Sequence, residues 1–304
     1  MEDNSEYHYT FRPAQFLGQP SIIAPPMSGK ISVSLQFIIP DLQIARIELD
    51  SYKKLIKKCL DEVWGSDILN VNNATLVTVA FYIEFMQEGI ELHNAIENKS
   101  RIIIERFLGV VSYCAGIKIR AINIVTTRKE GSNLVTTLNA IDKAQFPTVD
   151  FPLPQELYED EILTDEILTA LFWLRRGLAE NDPIDTFNAL MVCLQVLARN
   201  WWELHKTEGE TLPTPTILFR DYLIGEISAD PGQIKDAWKK RNGIAAHGNK
   251  LNIDANDFVG LIELKLKAIG WAYKGINLAL GLDLKNAPRP SQNLLMTPAL
   301  MNLD

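Results

Sequence analysis

The sequence predicts an α+β protein in two parts, and three observations carry that prediction. In the N-terminal half apolar residues alternate with polar ones, as in a strand with one buried face. Around 145–154 three prolines, Pro147, Pro152 and Pro154, break regular structure. Beyond them apolar residues recur every three or four positions, the period of an amphipathic helix. The expected order is an N-terminal mixed α/β sheet domain over 1–150, an all-α helical bundle over 158–283 and a C-terminal tail over 284–304.

Element by element, the first thirty residues, with Pro13, Pro20, Pro25, Pro26 and Gly29, read as an irregular arm. Ile31, Val33, Leu35 and Phe37 then alternate with Ser32, Ser34 and Gln36, and Val77, Val79 and Phe81 repeat the pattern. Ile103, Phe107, Val110 and Cys114 stand at spacings of four, three and four, so a helix is expected there, stopped by Gly116. Ile117, Ile119, Ala121 and Ile124 suggest a further strand before a charged turn at Arg128, Lys129 and Glu130, with Leu134 to Leu138 as its hairpin partner. One or two helices should cover this sheet.

In the helical half, Leu163, Ile167, Leu171, Leu174 and Leu178 form one stripe. Asp182 and Pro183 are an N-cap and first-turn proline, and Phe187, Leu190, Leu194, Leu197 and Trp201 continue the next helix, antiparallel to the first. Shorter helices are expected from Pro215 and from Asp230 and Pro231. The last helix starts near Asp254 and Asp257 and buries Phe258, Ile262, Leu266, Ile269, Tyr273, Ile276 and Leu280.

Composition narrows function. Of 304 residues 47% are hydrophobic and 22% charged, enough for a substantial core, and the formal charge of -8 argues against a surface that grips nucleic acid throughout. Cys59, Cys114 and Cys193 are far apart and read as reduced core thiols, with neither a zinc framework nor a disulfide framework. No metal and no cofactor is expected. Residues 1–10 are acidic and polar, so no secretory leader is expected, and no stretch has the length of a membrane span. A cytoplasmic protein without a membrane partner follows as the expectation. His-Glu-x-x-His, Gly-x-Ser-x-Gly, Gly-x-Gly-x-x-Gly and phosphate-loop patterns are absent, Ser28-Gly29-Lys30-Ile31 lacking the glycine and hydroxyl of the last.

The string with chemical content is Arg241-Asn242-Gly243-Ile244-Ala245-Ala246-His247-Gly248. Arginine offers a bidentate fork to phosphate and histidine exchanges protons near neutral pH, while the small residues leave space for a ligand. These are the groups a metal-free phosphodiester cleavage needs. Lys235, Lys239, Lys240 and Lys250 add local positive charge, with Lys239, Lys240 and Lys250 as candidate phosphate contacts. Six helical residues turn through about 600°, so Arg241 and His247 share no face of a straight helix; a helix end between them, which Gly243 and Gly248 favour, or a partner subunit must bring them together.

Arg199-Asn200 and His205 have the same spacing, but bulky residues fill the interval and Trp201 completes an apolar stripe, which marks that copy as structural. Trp201, Trp202, Trp238 and Trp271 could stack bases, but lie at helical spacing among leucines, as core residues do. His8 and His93 stand apart from other candidate ligands.

The Arg241, Asn242, His247, Gly248 string, after a helical hairpin and before a long terminal helix, resembles the HEPN superfamily, in its Apea-like and methylamine-utilisation J-like branches. The helical likeness covers 158–283; that of the N-terminal half is architectural. Gln195 departs from it, standing where an acidic residue is common. The resemblance implies a homodimer through the helical domain and metal-independent endoribonuclease activity, with a role in antiviral defence or growth arrest as a toxin. Arg241, Asn242 and His247 would be catalytic, RNA the substrate, and DNA, lacking a 2′-hydroxyl, spared. Two alternatives stay open. Gly248 and His247 could cap the helix while Arg241 pairs with a carboxylate, in a catalytically inactive dimerisation or RNA-binding module, or the N-terminal half could sense a ligand.

Overall fold

The computed structural model describes residues 29–39, 44, 46–59, 63–71, 74–85, 89–116, 119, 123–127, 153–159, 161–180, 182–245 and 255–291. Residues 1–28 of the expected N-terminal arm and the hairpin partner at 134–138 lie outside them, while Gly29 and Lys30, expected in the arm, begin a strand. The protein is mixed α+β and divides into two compact units. One comprises the described residues within Met1–Phe107 and Arg120–Glu159, the other those within Leu108–Ile119 and Asp160–Asp304.

In the first unit, β1 (Gly29–Ile39), β2 (Val63–Val71), β3 (Ala74–Phe85) and β4 (Asn123–Thr127) form an antiparallel sheet in the order β2-β3-β1-β4. Two helices join them, α1 (Leu49–Cys59) between β1 and β2, and α2 (Gly89–Ala115) between β3 and β4. Each β-α-β crossover skips over one strand of the sheet, which is the split β-α-β, ferredoxin-like topology. Val33, Leu35 and Phe37 pair with Phe81, Val79 and Val77, and all six are buried. The alternation seen in the sequence is thus one face of the central strands. Phe107 of α2 meets Phe37 and Tyr52 edge-to-face at 5.9 and 6.5 Å, which puts both helices on that face.

Neither α1 nor β2 is among the sequence expectations. Tyr52, Leu55 and Ile56 give α1 a buried stripe little more than one turn long. In β2 the alternation is spoiled by Gly65 and Asp67 and by a register irregularity between Val63 and Gly65. β4 starts at Asn123, at the C-terminal end of the expected 117–124 strand.

The second unit is helical. It contains α4 (Asp165–Ala179), α5 (Pro183–His205), α6 (Pro215–Gly225), α7 (Pro231–Lys240) and α8 (Ala255–Ala279), with α3 (Glu156–Glu159) a single turn before it in the chain. The caps are those written in the sequence. Asp182 Oδ1 accepts from the N–H groups of Ile184 and Asp185, at 2.7 and 3.2 Å, and Asp230 Oδ1 from that of Gln233 at 3.0 Å. Ile167, Leu171, Leu174 and Leu178 of α4, and Phe187, Leu190, Leu194 and Leu197 of α5, are buried as expected, whereas Leu163 precedes its helix and is half-buried.

In α8, Ile269, Tyr273, Ile276 and Leu280 of the predicted stripe are buried as expected. Leu261, Leu264, Ala268 and Ala272 are buried with them, while Ile262 and Leu266 in the first half of the helix are half-buried, because apolar residues there outnumber those one face can bury. Gly275 shows how close one neighbour comes: a Cβ there would overlap the Tyr222 hydroxyl and lie 3.0 Å from Leu197 Cδ1. Tyr113, at the end of α2, belongs to this unit, stacking on Tyr273 at 5.5 Å and donating to Asn277 Oδ1. Asn277 in turn donates to Pro288 O, and Ser291 N–H to Gly116 O, which ties down the chain after α8. Burial pushes the hydroxyls of Tyr113, Tyr222 and Tyr273 well above the usual phenol range. Cys114 and Cys193 are both buried.

Candidate functional site

Arg241 stands where α7 runs out. Asp230 and Pro231 start that helix, and Ile234 and Ala237 are its buried anchors. Trp238 and Arg241 follow at i+4 and i+7 from Ile234, so they share the packed side of the helix with them. Lys235 and Lys239, at i and i+4 on a flank, are exposed. This phase explains the geometry of the arginine. Its guanidinium carbon lies 5.4 Å from the centre of the Trp238 ring, a cation–π stack, and Trp238 rests against the buried Phe219 of α6 at 5.1 Å. Nη1 donates to Asn242 Oδ1 at 3.1 Å. One face of the guanidinium is therefore taken by an indole and one of its five donors by a neighbouring amide, and among the described residues no other side chain is bonded to the rest of the fork.

The backbone changes character here. The regular α-helix ends at Lys240: Arg241 keeps right-handed helical angles, its N–H reaching both Ala237 O and Trp238 O, and residues Arg241–Ala245 follow as a π-turn. Such single wide turns recur at functional positions, because they place side chains at angles a regular α-helix cannot reach. The turn packs against α5. Gly243 is exposed, and a Cβ built on it would have no neighbour within 4 Å. Open space thus adjoins a half-buried Arg241 and Asn242. Lys240 is half-buried and Lys239 exposed; His247 and Lys250 lie outside the described residues, as does Gly248. No carboxylate among the described residues pairs with Arg241, the partner that a purely capping role required.

The chain matches no protein-family profile, no curated protein and no solved structure. Its chemistry is accordingly read from its own side chains.

The first Arg-Asn string is built otherwise. Arg199 and Asn200 lie inside regular α5, Arg199 exposed, and His205 is the last residue of that helix, its Nδ1 2.8 Å from Trp201 O. Trp201 packs on Tyr222 at 6.0 Å and donates from Nε1 to Glu226 at 2.8 Å. What sequence reasoning missed at the second string is Trp238, read as core but serving as the platform for Arg241. The signal was its position three residues before the arginine, adjacent on the helix surface.

Among the described residues, no helix is long and apolar enough to cross a membrane.

Proposed function

We propose that the end of α7 is a metal-independent RNA-cleaving site of the HEPN kind, with Arg241, Asn242 and His247 as its working residues. The observation that carries the reading is Arg241 stacked on Trp238 and fixed by Asn242 beside the open, side-chain-free Gly243. A guanidinium already fixed in place loses little freedom when it takes a phosphate, which favours charge stabilisation in a transition state. In the reaction, the ribose 2′-oxygen attacks the adjacent phosphorus, giving up its proton to a base, and the 5′-oxygen of the next nucleotide leaves, taking a proton from an acid. His247 serves as base or acid, Arg241 neutralises charge on the non-bridging oxygens, and Asn242 orients the guanidinium. Lys239, Lys240 and Lys250 contribute phosphate contacts. The products are a 2′,3′-cyclic phosphate and a 5′-hydroxyl. A homodimer through the helical unit would bring two such sites together, and restraint of growth or of an invading genome is the role that suits such an activity.

Mass spectrometry of a single-stranded RNA incubated with the protein in excess chelator tests this. Cyclic-phosphate ends are expected from RNA and no cleavage from the DNA of the same sequence. Cleavage of both polymers, or of neither, would sink the reading.

The position of Arg241 on the packed side of α7 supports a second reading, an RNA-binding or dimerisation module in which the stacked arginine braces α7 against α6. Under it, Arg241→Ala lowers the thermal midpoint by several degrees, about 1–2 kcal/mol, and no RNA is cut by the wild type.

A further inference from the structure

A second feature of the helical unit has the opposite electrostatic character. Where α5 ends and α6 begins, Trp201, Trp202, Gly209, Glu210, Thr211, Pro213, Leu218 and Asp221 line a cleft of about 520 Å³. Two of these are carboxylates, two are indoles, and none is basic.

The cleft has a fixed acidic wall. Glu210 N–H donates to Thr207 O at 3.1 Å, closing a four-residue turn, and Gly209 at its third position has φ +87°, the left-handed conformation that glycine adopts without strain. The Glu210 carboxylate folds back to accept from Thr207 N–H at 3.0 Å, and that bond holds it below its usual range, in the ionised form. Asp221, across the cleft on α6, accepts from Nε and Nη2 of Arg220 through a single oxygen, Oδ1, at 2.9 and 2.8 Å. The indole of Trp202 already attracts a cation: Lys206 Nζ, tied to Glu203, sits 5.1 Å from its ring centre. Trp201 is locked by Glu226, so the aromatic wall is fixed as well.

Indole faces with carboxylates beside them recognise an organic cation. Of the biological cations, a guanidinium suits both partners at once, its plane stacking on an indole while its edge meets a carboxylate. The cleft is open, whereas sites for free small molecules enclose most of their ligand. Leu212, within the lining loop, and Ile217, beside Leu218, are exposed apolar residues, as is Leu204, 71% exposed at the end of α5. They offer contacts to the residues flanking a cation on a chain. We propose that this cleft binds an arginine side chain presented by a peptide segment of a partner protein, with apolar residues on either side of the arginine.

The probe is the peptide acetyl-Ala-Leu-Arg-Leu-Ala-amide, titrated into the full chain while the indole N–H resonances are followed by nuclear magnetic resonance. Two of the six tryptophans, Trp201 and Trp202, should shift. The lysine version should bind more weakly and the glutamine version should leave both signals in place. The double change Glu210→Gln with Asp221→Asn, on exposed side chains, should weaken the arginine peptide roughly five- to tenfold, and added salt should do the same. Trp202→Ala should abolish binding; if that variant unfolds, the carboxylate variant still decides. Equal binding of the arginine and glutamine peptides would overturn the proposal, and so would unmoved Trp201 and Trp202 signals. A shift of those signals with protein concentration alone, without peptide, would assign the cleft to a second copy of this chain instead.

Discussion

The chain carries the same residues at the same spacing twice, and the two copies fold into different objects. Arg199, Asn200 and His205 lie on the regular helix α5, with the arginine out in solvent and the histidine bonded to a carbonyl of its own last turn. Arg241 and Asn242 open a π-turn, with the arginine drawn onto Trp238 and bonded to its neighbour. The difference lies in helical phase and in what occupies the interval. Arg199 points away from the packed side of α5, whereas Arg241 falls seven residues after Ile234 on the packed side of α7. The same residue pattern takes on different surroundings according to the backbone and the neighbours that restrain it.

That contrast can be broken experimentally, and the largest effect should come from the guanidinium itself. Arg241→Lys keeps the charge but loses the planar fork and much of the stack, so RNA cleavage should fall by about 10²-fold; Arg199→Lys should leave the rate unchanged. Single-turnover assays with both variants measure this directly. Next comes the platform. Trp238→Ala removes a half-buried ring packed on Phe219 and should cost about 2 kcal/mol in urea denaturation, with cleavage falling too; Trp238→Phe should recover most of both. A cleavage rate untouched by Trp238→Ala would mean that the stack does not position the arginine.

Smaller effects separate stability from chemistry. Asp230→Ala and Asp182→Ala each remove an N-cap, of α7 and α5 respectively, and each should cost about 1 kcal/mol. Only the first frays the helix that carries Arg241, so after both variants are shown to be fully folded, only Asp230→Ala should slow cleavage. His205→Ala should matter least, about 0.5 kcal/mol or less from a lost contact at the end of α5, read as a shift in the denaturation midpoint.

Much of this was legible in the residues. Asp182-Pro183 and Asp230-Pro231 spell out two helix starts, and the alternation around Val33 and Val77 gives the two central strands. These are local signals, complete within a few residues. The rest depends on distant partners. The order β2-β3-β1-β4 cannot be read from β2, whose pattern is broken at Gly65 and Asp67. In α8 the stripe from Ile269 to Leu280 was legible, but nearer the start of the helix Leu261 and Leu264 are buried in place of Ile262 and Leu266, a choice made by packing neighbours rather than by the pattern. At the candidate site, the residue types announced themselves, but the π-turn depends on how the end of α7 meets α5. The cleft between α5 and α6 joins residues up to twenty apart and had no signature in the sequence.

The most direct test of the central claim puts the two strings side by side. Cleavage of single-stranded RNA in excess chelator should be compared for the wild type, the pair Arg241→Ala and His247→Ala, and the pair Arg199→Ala and His205→Ala. The account predicts a wild-type rate that either change in the second string lowers by 10²-fold or more, about 2.7 kcal/mol, and that neither change in the first alters by more than about twofold. Equal losses in both pairs, or RNA left intact by the wild type, would contradict it.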